Sequence, residues 1–127
     1  MTEQDRIRVL NVDDHALLRE GIAMIINCQP DMVIVSQAAG GKDAIEQYRE
    51  HRPDITLMDL RMPDLSGIEA LVAIRAEFPE ARIIMLTTFE GGEEVQRALK
   101  SGACGYLLKS IPPSELLEVI RRVHAGK

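Results

Sequence analysis

Asp54-Ile55-Thr56-Leu57-Met58-Asp59-Leu60-Arg61-Met62-Pro63 joins a short apolar run to an acid and then to a proline turn. Asp54 to Met58 reads as a strand, and a nearly continuous apolar run of this length fits a strand covered on both faces. Such a strand tolerates a carboxylate only at its mouth, where water, a metal or a partner can solvate the charge. Asp59 stands at that mouth. Three further polar clusters close comparable runs: Asp13 with Asp14, Thr87 with Thr88, and Lys109. If the strands are parallel, all four clusters share one edge of the sheet.

Working outward, short apolar runs alternate with amphipathic segments. Ile7 to Val12 is a first strand, followed by a helix from about His15 to Cys28 with Leu18, Ile22, Ile25 and Ile26 on its core face. Met32 to Ala38 is a second strand, and Lys42 to Glu50 a second helix after Gly40-Gly41. Ser66 and Glu69 give the capping box of a third helix reaching about Phe78. Arg82 to Leu86 is the fourth strand, and a helix from Gly92 to Lys100 ends at Gly102, a C-terminal cap. Gly105 to Leu108 is the fifth strand, and Pro112-Pro113-Ser114 opens the last helix, whose Leu116, Ile120 and Val123 form a core stripe. Alternation of this kind predicts a doubly wound α/β domain, a five-stranded parallel sheet with helices on both faces. Right-handed crossovers bring every strand-to-helix loop to one edge, where such sheets bind their ligands.

Composition narrows the function. The 127 residues are 46% hydrophobic and 28% charged, which suits a single soluble domain. A net charge of −5 disfavours nucleic acid as a direct ligand, and Arg121-Arg122 is too small a patch to reverse this. No run approaches membrane-spanning length and the polar start is no signal peptide, so a cytoplasmic location without membrane contact is expected. Cys28 and Cys104 lack metal spacing and read as reduced thiols used as small packing residues.

Asp13, Asp14 and Asp59 together would crowd three carboxylates, and a divalent cation is the natural compensation. Oxygen ligands without nearby His or Cys favour Mg2+. Asp13 or Asp14 alone could equally be the N-cap of the first helix. A carboxylate can attack phosphorus when a metal and a cation neutralise the transferred group, and Lys109 and the Thr87 hydroxyl are placed to assist, with the Thr88 backbone N–H.

Val12-Asp13-Asp14, Met58-Asp59-Leu60-Arg61-Met62-Pro63 through Gly67, Leu86-Thr87-Thr88 and Gly105-Tyr106-Leu107-Leu108-Lys109 resemble the receiver domain of two-component response regulators over nearly the whole chain. The resemblance implies a flavodoxin-like sheet of order 2-1-3-4-5. It implies that Asp59 accepts a phosphoryl group from a phosphohistidine on a sensor histidine kinase. Asp13, Asp14, Asp59 and the backbone carbonyl of Arg61 would hold Mg2+. Lys109, Thr87 and the backbone N–H groups of Arg61 and Thr88 would hold the phosphoryl oxygens. Thr87 and Tyr106 would form the switch, and homodimerisation on phosphorylation is possible.

Leu86-Thr87-Thr88-Phe89 and the close Ile120-Arg121-Arg122-Val123-His124-Ala125-Gly126 look like the NarL/LuxR type. In that subfamily a helix-turn-helix domain follows the receiver and binds DNA to control transcription. That domain is absent from these residues, so either a truncated form of a longer protein or a stand-alone receiver is expected, the first being favoured. Lys109-Ser110 departs from the commoner Lys-Pro. Arg61 and Phe89 flank the path of the water that would hydrolyse the acyl phosphate. Rival readings are an aspartate-nucleophile phosphohydrolase, a flavin or nucleotide binder, and a pseudo-receiver that only docks partners. The first is opposed by adjacent acids after the first strand, where such enzymes carry D-x-D. The second is opposed by the lack of a phosphate loop there, and the third by the full set of acids, threonine and lysine.

Overall fold

A computed structural model describes residues 5–88 and 92–126. The order is β1 (Ile7–Val12), α1 (Ala16–Asn27), β2 (Met32–Ala38), α2 (Gly41–His51), β3 (Ile55–Asp59), α3 (Gly67–Glu77), β4 (Ile83–Thr87), α4 (Gly92–Lys100), β5 (Gly105–Leu108) and α5 (Pro113–His124). All strand pairs are parallel, in the order β2-β1-β3-β4-β5. The expected fold is therefore the observed one. After β1 the chain goes to one side for β2 and returns to the other for β3, so the crevice of the switch point opens between the carboxyl ends of β1 and β3.

Successive side chains of a strand point to opposite faces, which divides the core in two. Ile55 and Leu57 of β3, with Ile84 and Leu86 of β4, pack with Ile22 and Ile26 of α1 and Ile120 of α5. Met58, Ile83 and Met85 face the other way, toward Ala44 and Tyr48 of α2, Leu71 and Ile74 of α3 and Ala98 of α4. Leu116, Ile120 and Val123 are buried as expected, while Leu18 and Ile25 pack at the margin of the same layer. Among the described residues no helix is long and apolar enough to cross a membrane.

Local chemistry sets the element ends. Ser66 accepts from the Glu69 N–H and Glu69 reaches back to the Ser66 N–H, closing the expected capping box of α3. Gly102 takes φ 107° just past α4, where a side chain would be strained. Two strand ends move outward from their expected places. Asp59 and Thr87 are the last residues of β3 and β4, in register with Leu86 and Leu108. Asp54 lies before β3, where its carboxylate accepts the Arg8 N–H at 2.9 Å. Both thiols are free, as expected, but the packing role is corrected: both are exposed, because Cys28 caps the end of α1 and Cys104 lies at the outer start of β5.

Candidate functional site

The predicted residues do converge at the carboxyl edge. Asp13 follows β1 and is 1% exposed, Asp59 ends β3 at 3%, and Thr87 ends β4 at 1%. Such burial of two carboxylates demands a cation, and Lys109 supplies it from the end of β5. Its ammonium stands 2.9 Å from Asp59 Oδ1 and 3.0 Å from Asp13 Oδ2. The Lys109 N–H donates to the Thr87 carbonyl at 2.8 Å, which carries the β4–β5 ladder to the point where the ammonium must turn inward. Lys109 is thus an ion-paired, largely buried base (side chain 8% exposed) rather than a solvated charge.

One cation does not neutralise the cluster. Burial pushes the Asp59 carboxyl up to about 6; the Lys109 ammonium opposes the rise, and the Asp13 and Asp14 carboxylates add to it. Burial alone would lower Lys109, but the bonds and charges of Asp59 and Asp13 outweigh it and raise the ammonium above its ordinary value. Asp59 Oδ2 is buried without a hydrogen-bond partner. An orphaned oxygen of this kind, inside a group whose ligand atoms from Asp13, Asp14, His15 and Asp59 lie within 4.8 Å of one another, fits a divalent cation bound mainly by oxygen.

Neither Asp13 nor Asp14 is the N-cap of α1, so that alternative falls. His15 is the N-cap and makes no side-chain cap bond, while Asp13 Oδ1 accepts the His15 N–H at 2.8 Å. Thr88 is exposed at the rim. Tyr106 is half-buried and packs against the α2–α4 core layer. Arg61 is exposed, and its guanidinium pairs with Glu94 of α4 at 2.6 Å. Phe89 lies outside the described residues. The Lys109–Ser110 peptide is trans.

Sequence reasoning missed three participants. His15 Nδ1 lies 3.1 Å from both Asp13 Oδ1 and Asp14 Oδ1. Its place directly after the acid pair was the available signal. Arg19, one turn into α1, donates to the Asp13 carbonyl at 2.7 Å and so fixes the acid-bearing loop. Asp64, from the loop after Asp59, accepts the Gly41 and Lys42 N–H groups at the start of α2, and those bonds hold its carboxyl below the usual range. The acceptor loop is thereby tied to a neighbouring helix that sequence spacing does not reveal.

Residues 9–121 match the response regulator receiver domain family. The chain is 41% identical over 121 residues to the response regulator protein VraR of Staphylococcus epidermidis, covering 95% of this chain and 58% of that protein. It is 43% identical over 124 residues to the transcriptional regulatory protein YxjL of Bacillus subtilis, itself uncharacterized, covering 98% and 57%. A crystal structure of a LuxR-family two-component response regulator from Aurantimonas sp. SI85-9A1 superposes with a TM-score of 0.92 at 39% identity, covering 96% of this chain and 87% of that one. The chain spans a little over half the length of these curated relatives. With Asp13, Asp59, Thr87 and Lys109 gathered at one sheet edge and residues 9–121 matching that family, the chain belongs to the response regulator receiver domain family.

Proposed function

We propose that this domain is a phosphoacceptor switch: Asp59 takes a phosphoryl group from a phosphohistidine on a sensor histidine kinase, and the modified edge changes an output surface. The observation that carries the reading is Asp59 itself, with one oxygen held by Lys109 and the other buried and unpartnered. A carboxylate deprived of water and only half compensated is poised to gain a bond or a cation.

In the transfer, an Asp59 oxygen attacks phosphorus. The new acyl P–O bond forms as the P–N bond to the donor imidazole breaks, and the electron pair leaves with that nitrogen. Lys109, the Thr87 hydroxyl and the backbone N–H groups of Arg61 and Thr88 then receive the three phosphoryl oxygens. Asp13, Asp14, Asp59 and the Arg61 carbonyl would hold Mg2+, which when bound supplies positive charge against the transferred group. In the later hydrolysis, water forms a new P–O bond as the Asp59 O–P bond breaks; the electron pair returns to the Asp59 carboxylate and inorganic phosphate leaves, its surplus proton going to solvent. The domain thus turns over its own acyl phosphate and is not a multiple-turnover enzyme on other substrates.

The phosphoryl group adds negative charge and strong acceptors. Thr87, drawn toward them, would bias the Tyr106 ring and the α4–β5 surface between two pre-existing arrangements. An apolar groove between α1 and the loop after β5, with Leu17 and Lys109 on its wall, opens beside the acceptor and suits the kinase that must present its histidine there. In a longer protein carrying a DNA-binding domain, the changed surface would control transcription.

The test is intact-protein mass after incubation with acetyl phosphate. A Mg2+-dependent, hydroxylamine-sensitive phosphoryl adduct on the wild type and none on Asp59→Asn is the expected result. No adduct on folded wild type would make the domain a docking module instead.

A further inference from the structure

The acid pair is followed by a histidine, and folding brings that nitrogen into a site that residue types alone present as all oxygen. His15 Nδ1 stands 3.1 Å from an oxygen of each of Asp13 and Asp14. Adjacent ligands of an octahedral ion with bonds of about 2.1 Å lie roughly 3.0 Å apart, and opposite ligands roughly 4.2 Å. The two His15 separations therefore match adjacent vertices as they stand. The widest separation in the group of Asp13, Asp14, His15 and Asp59, up to 4.8 Å, needs only a small contraction. His15 and Asp14 lie on the exposed rim and can supply it.

One further observation points to a ligand rather than to a chance cluster, and a second places the ring. Asp59 Oδ2, in the same group, is buried and without a hydrogen-bond partner. The His15 side chain is 66% exposed and gives α1 no cap bond; its Nδ1 is instead turned inward to a hydrogen bond with Asp13 Oδ1 at 3.1 Å, which holds the ring at the acid cluster where an ion would sit. Oxygen-only sets suit Mg2+, whereas imidazole raises affinity for divalent transition ions.

We infer that His15 Nδ1 is a further ligand of this centre, giving the domain a preference for a divalent transition ion such as Mn2+ over Mg2+. The inference rests on the metal centre proposed above. Its physical content is selectivity: an added nitrogen strengthens Mn2+ binding and leaves Mg2+, which favours oxygen, nearly unchanged.

The probe is Mn2+ alone, titrated at fixed pH 7.5 into chelator-treated protein and followed by electron paramagnetic resonance, with Mg2+ measured by competition. Wild type, His15→Ala and Asp59→Asn are compared. Bound Mn2+ in the wild type should show nitrogen hyperfine modulation that His15→Ala removes. His15→Ala should weaken Mn2+ by at least about tenfold, since even outer partners of metal ligands are worth that much, and shift Mg2+ by less than about twofold. Tight Mn2+ binding without nitrogen modulation would overturn the inference while leaving the metal centre intact. Tighter binding of both ions by His15→Ala would also overturn it, showing the imidazole to be a cation standing in for the metal. No saturable Mn2+ binding to wild type, or binding untouched by Asp59→Asn, would remove the metal centre and the inference together.

Discussion

Asp59→Asn should stabilise the metal-free domain at neutral pH, although Asp59 is the residue on which the proposed function depends. Burial raises its carboxyl from the ordinary 3.8 to about 6. Between those values the folded protein holds more protons than the unfolded chain, so stability from this group is present in acid and is lost as pH rises through the window. At 1.36 kcal/mol per pH unit, the cost above pH 6 is bounded at about 3 kcal/mol. Asparagine removes the ionisation but also loosens Lys109, which keeps Asp13 at 3.0 Å. A net gain of about 1 to 2 kcal/mol is therefore expected at pH 7.5, or roughly 4 to 8 °C in Tm for a domain of this size. At pH 5 the ionisation cost is lower by about 1.4 kcal/mol, because most of the folded wild type is already protonated, so the gain should nearly vanish. Urea unfolding of both proteins in chelator across pH 5 to 8 measures this. Adding Mg2+ at ten times its dissociation constant should return about 1.4 kcal/mol to the wild type and much less to the variant. Equal stability at pH 7.5, or a difference that does not shrink toward pH 5, would refute the assignment of Asp59 as a buried, undercompensated charge.

Three further outcomes follow from the same geometry. Lys109→Met leaves two buried carboxylates without their cation and should cost about 3 kcal/mol at pH 7.5, less toward pH 5 as Asp59 takes up a proton; a change in urea midpoint worth under about 1 kcal/mol contradicts this. Gly67→Ala would place a Cβ 2.2 Å from the Asp59 carbonyl oxygen and 2.8 Å from Met85 Cε, so a loss of about 2 kcal/mol with slower phosphoryl uptake is expected, and wild-type values for both would count against it. Arg61→Asn, which frees Glu94, and Phe89→Ala, at a position outside the described residues, should each change the lifetime of the acyl phosphate; unchanged decay of the adduct mass in both variants argues that neither guards the water path.

The sheet was legible because each strand is a compact apolar run bounded by its own punctuation. Ser66 with Glu69 marks a helix end through reciprocal bonds, Gly102 through its positive φ and Pro113 through its fixed φ, and local features of this kind leave a trace in the sequence. The acids were legible for another reason: a carboxylate closing a buried run has few physical explanations. The ends of β3 and β4 were less so. Asp59 and Thr87 look like loop residues by type, yet the ladder to Leu86 and Leu108 carries each into its strand. Contacts between distant segments were hidden altogether. Nothing in the spacing of Asp64 announces that it receives the first N–H groups of α2, nor that Glu94 meets Arg61 across the acceptor edge. His15 was hidden by its exposure: a surface histidine after two acids is ordinary until its ring is seen turned onto both of them. The cysteines misled because composition suggests burial, whereas their positions at the end of a helix and the outer start of a strand leave them in solvent.

The central claim is that one carboxylate, Asp59, is the phosphoacceptor. The most direct test is to phosphorylate the protein with acetyl phosphate and Mg2+, reduce the acyl phosphate with borohydride, and map the product by peptide mass spectrometry. Reduction converts a phosphorylated aspartate to homoserine and leaves unmodified aspartates unchanged. Homoserine at position 59, with Asp13 and Asp14 intact, is the predicted result. Homoserine at either of those acids, or at none, would contradict the account.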